Sequence, residues 1–366
     1  LSLTPTPLRY QPTFEAAEPD EAQTDQDLRD ALLGISRTVA RDEGHAYRSV
    51  HAKSHGLLRG SLTVQPGLPP ELAQGLCAQP GTYDAVVRLS STPGDLLDDG
   101  VSTPRGLALK LLGVEGERLP GSQADATQDV LMVNGPVFSA PTAAKFLKTV
   151  KLLAATTDKA PNAKKVLSAA LRGLESIIEK AGGESGTLKA LGGHPATHIL
   201  GETFFSQVPV LWGPYMAKLS LAPASPELQA LTDQPIELKD RPHALRDEVR
   251  QHFARQGGTW ALRVQLCTNL EAMPIEDASV EWQEQDSPWH TVATLSLPPQ
   301  DSWPDARADA LDDGLSFSPW HGLAAHRPIG SIMRVRKAAY EAAASFRRGH
   351  NGVPVTEPRS LQDLPG

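Results

Sequence analysis

Arg327-Pro-Ile-Gly-Ser331-Ile-Met-Arg334-Val-Arg336-Lys-Ala-Ala-Tyr340-Glu-Ala-Ala-Ala-Ser-Phe346-Arg347-Arg348 is the stretch on which the reading of this chain turns. From Ser331 onward it is rich in Ala and other helix formers, and its last turn carries Arg, where a cation suits the helix dipole. Arg336 and Tyr340 are four residues apart and share a face; Arg347, seven beyond Tyr340, returns to it. Two permanently charged guanidiniums around one phenol are ordinary on a solvated helix and unusual on a buried one. On a buried face a close Arg favours the phenolate. A phenolate is a hard oxygen ligand for ferric iron, and Tyr is among the side chains that hold haem iron.

The rest of the composition narrows the class. The 366 residues are 40% hydrophobic and 21% charged, as in an ordinary globular protein. The 31 Pro and 30 Gly call for many turns. A net charge of −8 argues against nucleic acid and against anionic membrane surfaces. No apolar run of about 18 residues is present, so no helical membrane span is expected. Cys77 and Cys267 form neither a disulfide framework nor a zinc site. These features point to the cytoplasm, or to the periplasm if a leader preceded Leu1.

Along the chain, residues 1–22 read as an extended arm rich in Pro, Thr and Glu. Thr24 is expected to cap a helix from Asp25 to about Arg41, with Leu28, Leu32, Ile35 and Val39 on its apolar side. The segment Ala46–Val64 places Arg48 and His51 three apart and then alternates as a strand. His51 and His55 have the spacing of a helical metal pair, but the glycines around them break a helix and no third ligand follows. A short helix is expected over Pro70–Cys77. Strands are expected over Tyr83–Thr92, Thr103–Lys110 and from Gln128 to Asn134. Two helices, Thr142–Thr157 and Ala163–Gly182, carry Lys145, Lys148, Lys151, Lys164 and Lys165 on a solvated face. Strands resume over Glu202–Trp212, Tyr215–Leu221, Thr259–Thr268, Val280–Trp282 and Thr291–Leu295, interrupted by a helix over His243–Arg255. About eight strands suffice for one closed antiparallel barrel with helices around it.

Five short motifs occur in order: Arg48-Ser-Val50-His51-Ala-Lys, Val87-Arg88-Leu-Ser90, Pro104-Arg-Gly-Leu-Ala, Val133-Asn134 before Pro136-Val-Phe138, and Arg336-Lys-Ala-Ala-Tyr340. Together they resemble the haem catalase family, and most of all its short single-core members, the catalase-related peroxidases. The resemblance runs from about residue 44 to 350. It implies an α+β fold with an eight-stranded antiparallel β-barrel: an arm at 1–22, a haem-binding core at 23–350 and a tail at 351–366. It also implies haem b with Tyr340 as the iron ligand and Arg336 beside it. Arg48, Arg88 and Arg347 become propionate clamps, since Arg suits carboxylates geometrically. His51 becomes the proton shuttle, Ser90 the acceptor that fixes its tautomer, Asn134 a donor to bound peroxide, and Phe138 a wall of the haem pocket. Val50 stands before His51, as in peroxide-decomposing members; the allene oxide synthase branch resembles Thr there. Leu89 stands where many members carry Phe, which suggests a more open haem face. No counterpart of the large catalases' C-terminal portion follows, which is compatible with a homodimer rather than their tetramer.

The expected activity is a hydroperoxidase that reduces H2O2 or organic hydroperoxides with an organic electron donor, peroxidase first and catalase second. Two alternatives stand beside it: a fatty-acid hydroperoxide isomerase and a non-catalytic haem-binding protein.

Overall fold

The computed structural model describes residues 3, 5–156, 195–306, 308–354 and 357–364. Nine strands follow the period-2 alternation: β1 (Lys53–Val64), β2 (Thr82–Ser91), β3 (Arg105–Leu112), β4 (Thr127–Val133), β5 (Phe204–Phe205), β6 (Val210–Trp212), β7 (Tyr215–Pro223), β8 (Gly258–Leu266) and β9 (His290–Leu297). The ring β1-β2-β3-β4-β5-β7-β8-β9 is antiparallel throughout and closes back on β1, so the expected eight-stranded barrel is present. Closure removes the unpaired edges that an open sheet would expose. β6 is an extra strand, hairpinned onto β7 through Gly213 in the left-handed region. Leu58, Leu62, Val87, Leu89, Leu107, Leu109, Leu262 and Leu295 belong to the main apolar core. Burying such side chains contributes roughly 1.5–3 kcal/mol each.

Six α-helices accompany the barrel among the described residues: α1 (Glu21–Glu43), α2 (Ala143–Thr156), α3 (Pro226–Gln229), α4 (Ala244–Phe253), α5 (Ala308–Gly314) and α6 (Ser331–Asn351). None of the described helices is long and apolar enough to cross a membrane. α1 starts four residues before the expected Asp25: Asp20 is its N-cap residue, and Thr24 lies inside the helix with its N–H donating to the Asp20 carbonyl at 3.0 Å. Pro70–Cys77 is not an α-helix; only Gly75–Cys77 forms a 3-10 turn. Val280–Trp282 joins no ladder, because side chains take its carbonyls: Lys218 Nζ donates to Val280 O at 3.0 Å and Gln265 Nε2 to Trp282 O at 2.9 Å. The helix expected over 163–182 lies outside the described residues.

The arm does not stand free. Leu8 N–H donates to Cys267 O and Tyr10 N–H to Pro214 O, both at 2.8 Å. Its Glu15 reaches the start of α6, accepting from Arg327, from Arg334 and from Gly330 N. Glu276 accepts from Ser331 N at 2.8 Å and Arg334 pairs with Glu21. Two carboxylates thus meet backbone N–H groups at the N-terminus of α6, where the helix dipole favours negative charge. At the other end Gly352, at φ 66, closes the helix with its N–H on Arg348 O. α1, α2 and α6 share a core through Leu28, Leu32, Ile35, Leu147, Val150, Val335 and Ala339.

The outer face of β2–β4 is built in rows. Ser90 pairs with Gly106 and Gly106 with Val133; Arg88 with Ala108 and Ala108 with Leu131; Val86 with Lys110 and Lys110 with Asp129. The third row is a buried charge cluster. Lys110 Nζ donates to Asp129 at 2.7 and 2.9 Å and to Glu357 of the tail at 2.6 Å. Lys110 and Asp129 side chains are both 0% exposed. Lys110→Met would leave two carboxylates close together with only the His321 imidazole, 3.3–3.4 Å from each, in place of the ammonium. It is expected to destabilise the chain by about 3–5 kcal/mol, read as a lower urea midpoint. A midpoint equal to the parent's would show that the cluster holds nothing together.

Candidate functional site

Between the first two of those rows and α6 lies a cavity of about 920 Å³ of empty space, open solvent at its mouth included. One wall is sheet: Ser90, Gly106, Ala108 and Leu131, with Val50 and His51 from the loop before β1. The facing wall is the stripe Arg336, Ala339, Tyr340, Ala343, Ala344 and Arg347 of α6. These positions recur at three, four and seven residues, so they form one helix face. Gly106 and Ala108 on the sheet and Ala339, Ala343 and Ala344 on the helix keep the space between these walls, the slot, open.

His51 sits at φ 53, in the left-handed region, an uncommon place for a side chain that is not Gly. Arg88 holds that backbone by donating from Nη1 to His51 O at 3.0 Å and from Nη2 to Ala52 O at 3.2 Å. The ring's Nδ1 lies 3.3 Å from Ser90 Oγ. With Nδ1–H donating to Ser90, Nε2 keeps its lone pair. Burial, reinforced by the charges of Arg88 and Arg336, pushes the imidazole down to about 3, so it is neutral at ordinary pH.

At one end of the slot Arg48, Arg88 and Arg347 converge on α5. Arg48 Nη1 donates to Asp312 Oδ1 at 2.7 Å and its Nη2 to the carbonyls of Asp312 and Leu315, each at 2.9 Å. Arg88 Nε donates to Asp312 Oδ1 at 2.6 Å and Nη2 to Oδ2 at 3.2 Å. Arg347 Nη2 donates to Leu315 O at 2.8 Å, while its buried Nε has no partner. Burial, then the Arg347 and Arg88 charges, push the Arg48 guanidinium well down, with only Asp312 opposing. Three cations meet Asp312, and Asp313 acts on Arg347 alone, so the cluster keeps a positive surplus and an orphaned donor. An anionic group would offset the first and satisfy the second. The residues therefore fit a planar tetrapyrrole carrying two carboxylates, with the Tyr340 phenol on the wall beneath it.

Eight of the sequence-predicted site residues line this cavity: Arg48, Val50, His51, Ser90, Arg88, Arg336, Tyr340 and Arg347. Asn134 and Phe138 do not line it. Asn134 Oδ1 accepts from Arg105 N–H at 2.9 Å and its Nδ2 donates to Glu202 at 2.8 Å, so its amide is bonded away from the slot. Phe138 packs on Phe146 and lies under the Arg336 guanidinium, 5.2 Å from the ring centre. Arg336 also places Nη1 3.9 Å from Met333 Sδ, and its guanidinium is turned to these neighbours rather than hydrogen-bonded to Tyr340. Leu89 alternates with Arg88 and Ser90 and is 1% exposed in the main core, so it cannot open the slot as its position in the sequence suggested. His55 lies elsewhere, with Nε2 2.9 Å from Ser91 Oγ.

Three residues of the site were not read from the sequence. Asp312 is the carboxylate of the arginine cluster, Gly106 underlies His51, and Gln207 lines the cavity at φ 63 while donating to the carbonyls of Gly135 and Val137. Two acidic residues in a row, Asp312 and Asp313, were the only available hint of the first.

Barrel and site together define a catalase-like fold. No sequence-family profile and no curated protein matches this chain. Solved structures do. A fungal catalase superposes with a TM-score of 0.58 at 16% identity, over 86% of this chain and 64% of that one. A bacterial catalase gives 0.56 at 16% identity, over 97% and 66%. Catalase A from Saccharomyces cerevisiae gives 0.53 at 17% identity, over 84% and 62%. The chain thus spans about two thirds of the length of these catalases.

Proposed function

We propose that this protein is a haem-dependent hydroperoxidase that reduces H2O2 or organic hydroperoxides with an organic donor, as a peroxidase with weaker catalase activity. One observation carries the reading: a neutral, buried imidazole and a phenol on facing walls of one cavity, with an arginine cluster of positive surplus at its end. In this reading Tyr340 holds the iron of haem b, and Arg347, Arg48 and Arg88 hold its carboxylates. Bound haem would supply the two electrons that split the O–O bond, later restored by the donor.

The chain's part is the proton. His51 Nε2 accepts it from the peroxide oxygen that attacks and returns it to the oxygen that leaves, so the leaving group departs as water or alcohol rather than as an anion. Ser90 keeps Nδ1 protonated and the ring in one tautomer. Val50, Leu131 and Ala108 keep the slot apolar, which restricts competing water. With Leu89 in the core, the case for access by larger substrates rests on the open mouth of the cavity alone. The bonding of Asn134 to Glu202 and Arg105 favours the second reading, a haem-binding protein without turnover, because it removes one donor from the distal wall.

The test begins with spectra of the haem-loaded chain before and after stoichiometric peroxide, for the parent and Tyr340→Phe. It continues with oxygen evolution from H2O2 against oxidation of a phenolic dye by H2O2 or cumene hydroperoxide. Dye oxidation exceeding oxygen evolution is expected, and Tyr340→Phe is expected to change the ferric spectrum. Vigorous oxygen evolution without dye oxidation would make the protein a catalase. No reaction with any peroxide would leave the binder. Rearrangement of a fatty-acid hydroperoxide without a reductant would make it an isomerase.

A further inference from the structure

Gly106 stands between Ser90 and Val133 in the row of the sheet that forms the slot's floor. A Cβ built there would lie 2.5 Å from His51 Nδ1, 2.6 Å from His51 Cε1 and 3.0 Å from Ser90 Oγ. Its backbone is not in the left-handed region, so strain does not demand glycine. Nor does strand packing, as it does at Gly60, where a Cβ would meet the Ser296 carbonyl oxygen at 2.1 Å. The three nearest obstacles at Gly106 are atoms of the imidazole and the hydroxyl that the proposed chemistry uses.

We propose that Gly106 is a positioning residue: the bare backbone against which the His51 imidazole lies, so that the ring stays on the sheet and out of the slot. Three constraints then define the ring. Arg88 fixes the His51 backbone at its carbonyl, Ser90 fixes Nδ1, and Gly106 fixes the distance of the ring from the sheet. A methyl group at Gly106 requires the ring to retreat by about 1 Å to reach an ordinary contact of 3.4 Å or more. The sheet blocks retreat on one side, so the ring moves towards α6 and Tyr340. A displacement of this size is enough to lose a proton transfer that depends on alignment. The catalytic consequence rests on the proposed function; the seat itself does not.

A double-mutant cycle separates the two. Gly106→Ala, His51→Ala and the double variant are made in the full chain and unfolded by urea without added haem. Gly106→Ala is expected to lower the midpoint clearly when His51 is present and to lower it little when residue 51 is Ala. If Gly106→Ala does not fold, the double variant still decides: folding like His51→Ala supports the seat, and failing to fold overturns it. Equal losses with and without the imidazole also overturn it. After haem loading, Gly106→Ala is expected to shift the ferric absorption spectrum towards a low-spin form, because the ring is driven towards the iron position. The shift should be absent from the double variant; a shift that persists without His51 counts against the seat. Reaction of His51→Ala with peroxide at the parent rate would remove His51 from the proposed chemistry while leaving the urea cycle intact, and no reaction of the haem-loaded parent with any peroxide would sink the hydroperoxidase reading.

Discussion

His51→Ala is expected to load haem as the parent does and to react with peroxide about 10²–10⁴-fold more slowly, the usual contribution of a placed general acid–base group. On the proposed function the cofactor wall and the carboxylate clamps are α6, Arg48 and Arg88, so removing the imidazole leaves them in place. What is lost is the acceptor that lets a neutral peroxide bind as its anion and the leaving oxygen depart protonated. The pH profile adds a second readout. His51 is held at about 3 by burial and by Arg88 and Arg336. It is therefore a free base throughout the neutral range, and the parent rate should be flat from about pH 5 upward. A shuttle with an ordinary imidazole pKa would instead lose activity below about pH 6.5. Linkage gives the same group a mark on stability. A base with a lowered folded pKa binds fewer protons folded than unfolded, so its contribution is present above about pH 6.5 and is lost as pH falls towards the folded value. His51→Ala should flatten that part of the acid limb. Stopped-flow mixing across pH measures the rates, and a parent-like rate in the variant would remove His51 from the mechanism.

Much of this site was readable because its residues are local to strong patterns. The stripe Arg336–Tyr340–Arg347 needs only the helical period, and the helix exists where Ala and capping glycines place it. Arg88 and Ser90 share a strand face because strands alternate, and the same alternation should have sent Leu89 inward. Placing Leu89 by family likeness overrode a rule that the strand itself supplied. Asp312 was hidden for a different reason. It lies on the seven-residue helix α5, too short for a periodic signal, and its partners Arg48 and Arg88 are more than two hundred residues away. Asn134 likewise bonds to Glu202, 68 residues on, across an interval no local pattern spans. Gly106 was quoted in a motif, but a glycine's meaning resides in what would collide with its missing side chain. That requires the ring of His51 in place. A closed barrel was legible from strand count, whereas Val280–Trp282 has strand composition and no ladder because Lys218 and Gln265 reached its carbonyls first.

Asp312→Asn is expected to have a large effect on folding. The carboxylate is the common acceptor of Arg48 and Arg88, and Arg347 stands beside it. Burial alone would raise its pKa; the charges of Arg48 and Arg88, hydrogen bonding from Arg88 and the charge of Arg347 outweigh burial and hold it far below the usual carboxylate range. A depressed acid contributes stability that is present above its unfolded pKa of about 3.9 and is lost as pH falls towards its folded value. Asn keeps the shape and removes the charge, leaving three buried guanidiniums that repel one another. Breaking a buried pair in this way costs about 3–5 kcal/mol. The gap between parent and variant should therefore be widest at neutral pH and should close in acid, as the parent's own carboxylate takes up a proton. The remedy follows from the charge count. A cofactor with two carboxylates brings two negative charges to the same cluster, so haem should raise the urea midpoint of Asp312→Asn more than that of the parent. Haem dimethyl ester, which has the same ring and no charge there, should not. A gap that stays constant from neutral pH into acid would show that Asp312 acts by shape alone. Equal rescue by the ester would show that the arginine cluster does not read carboxylates.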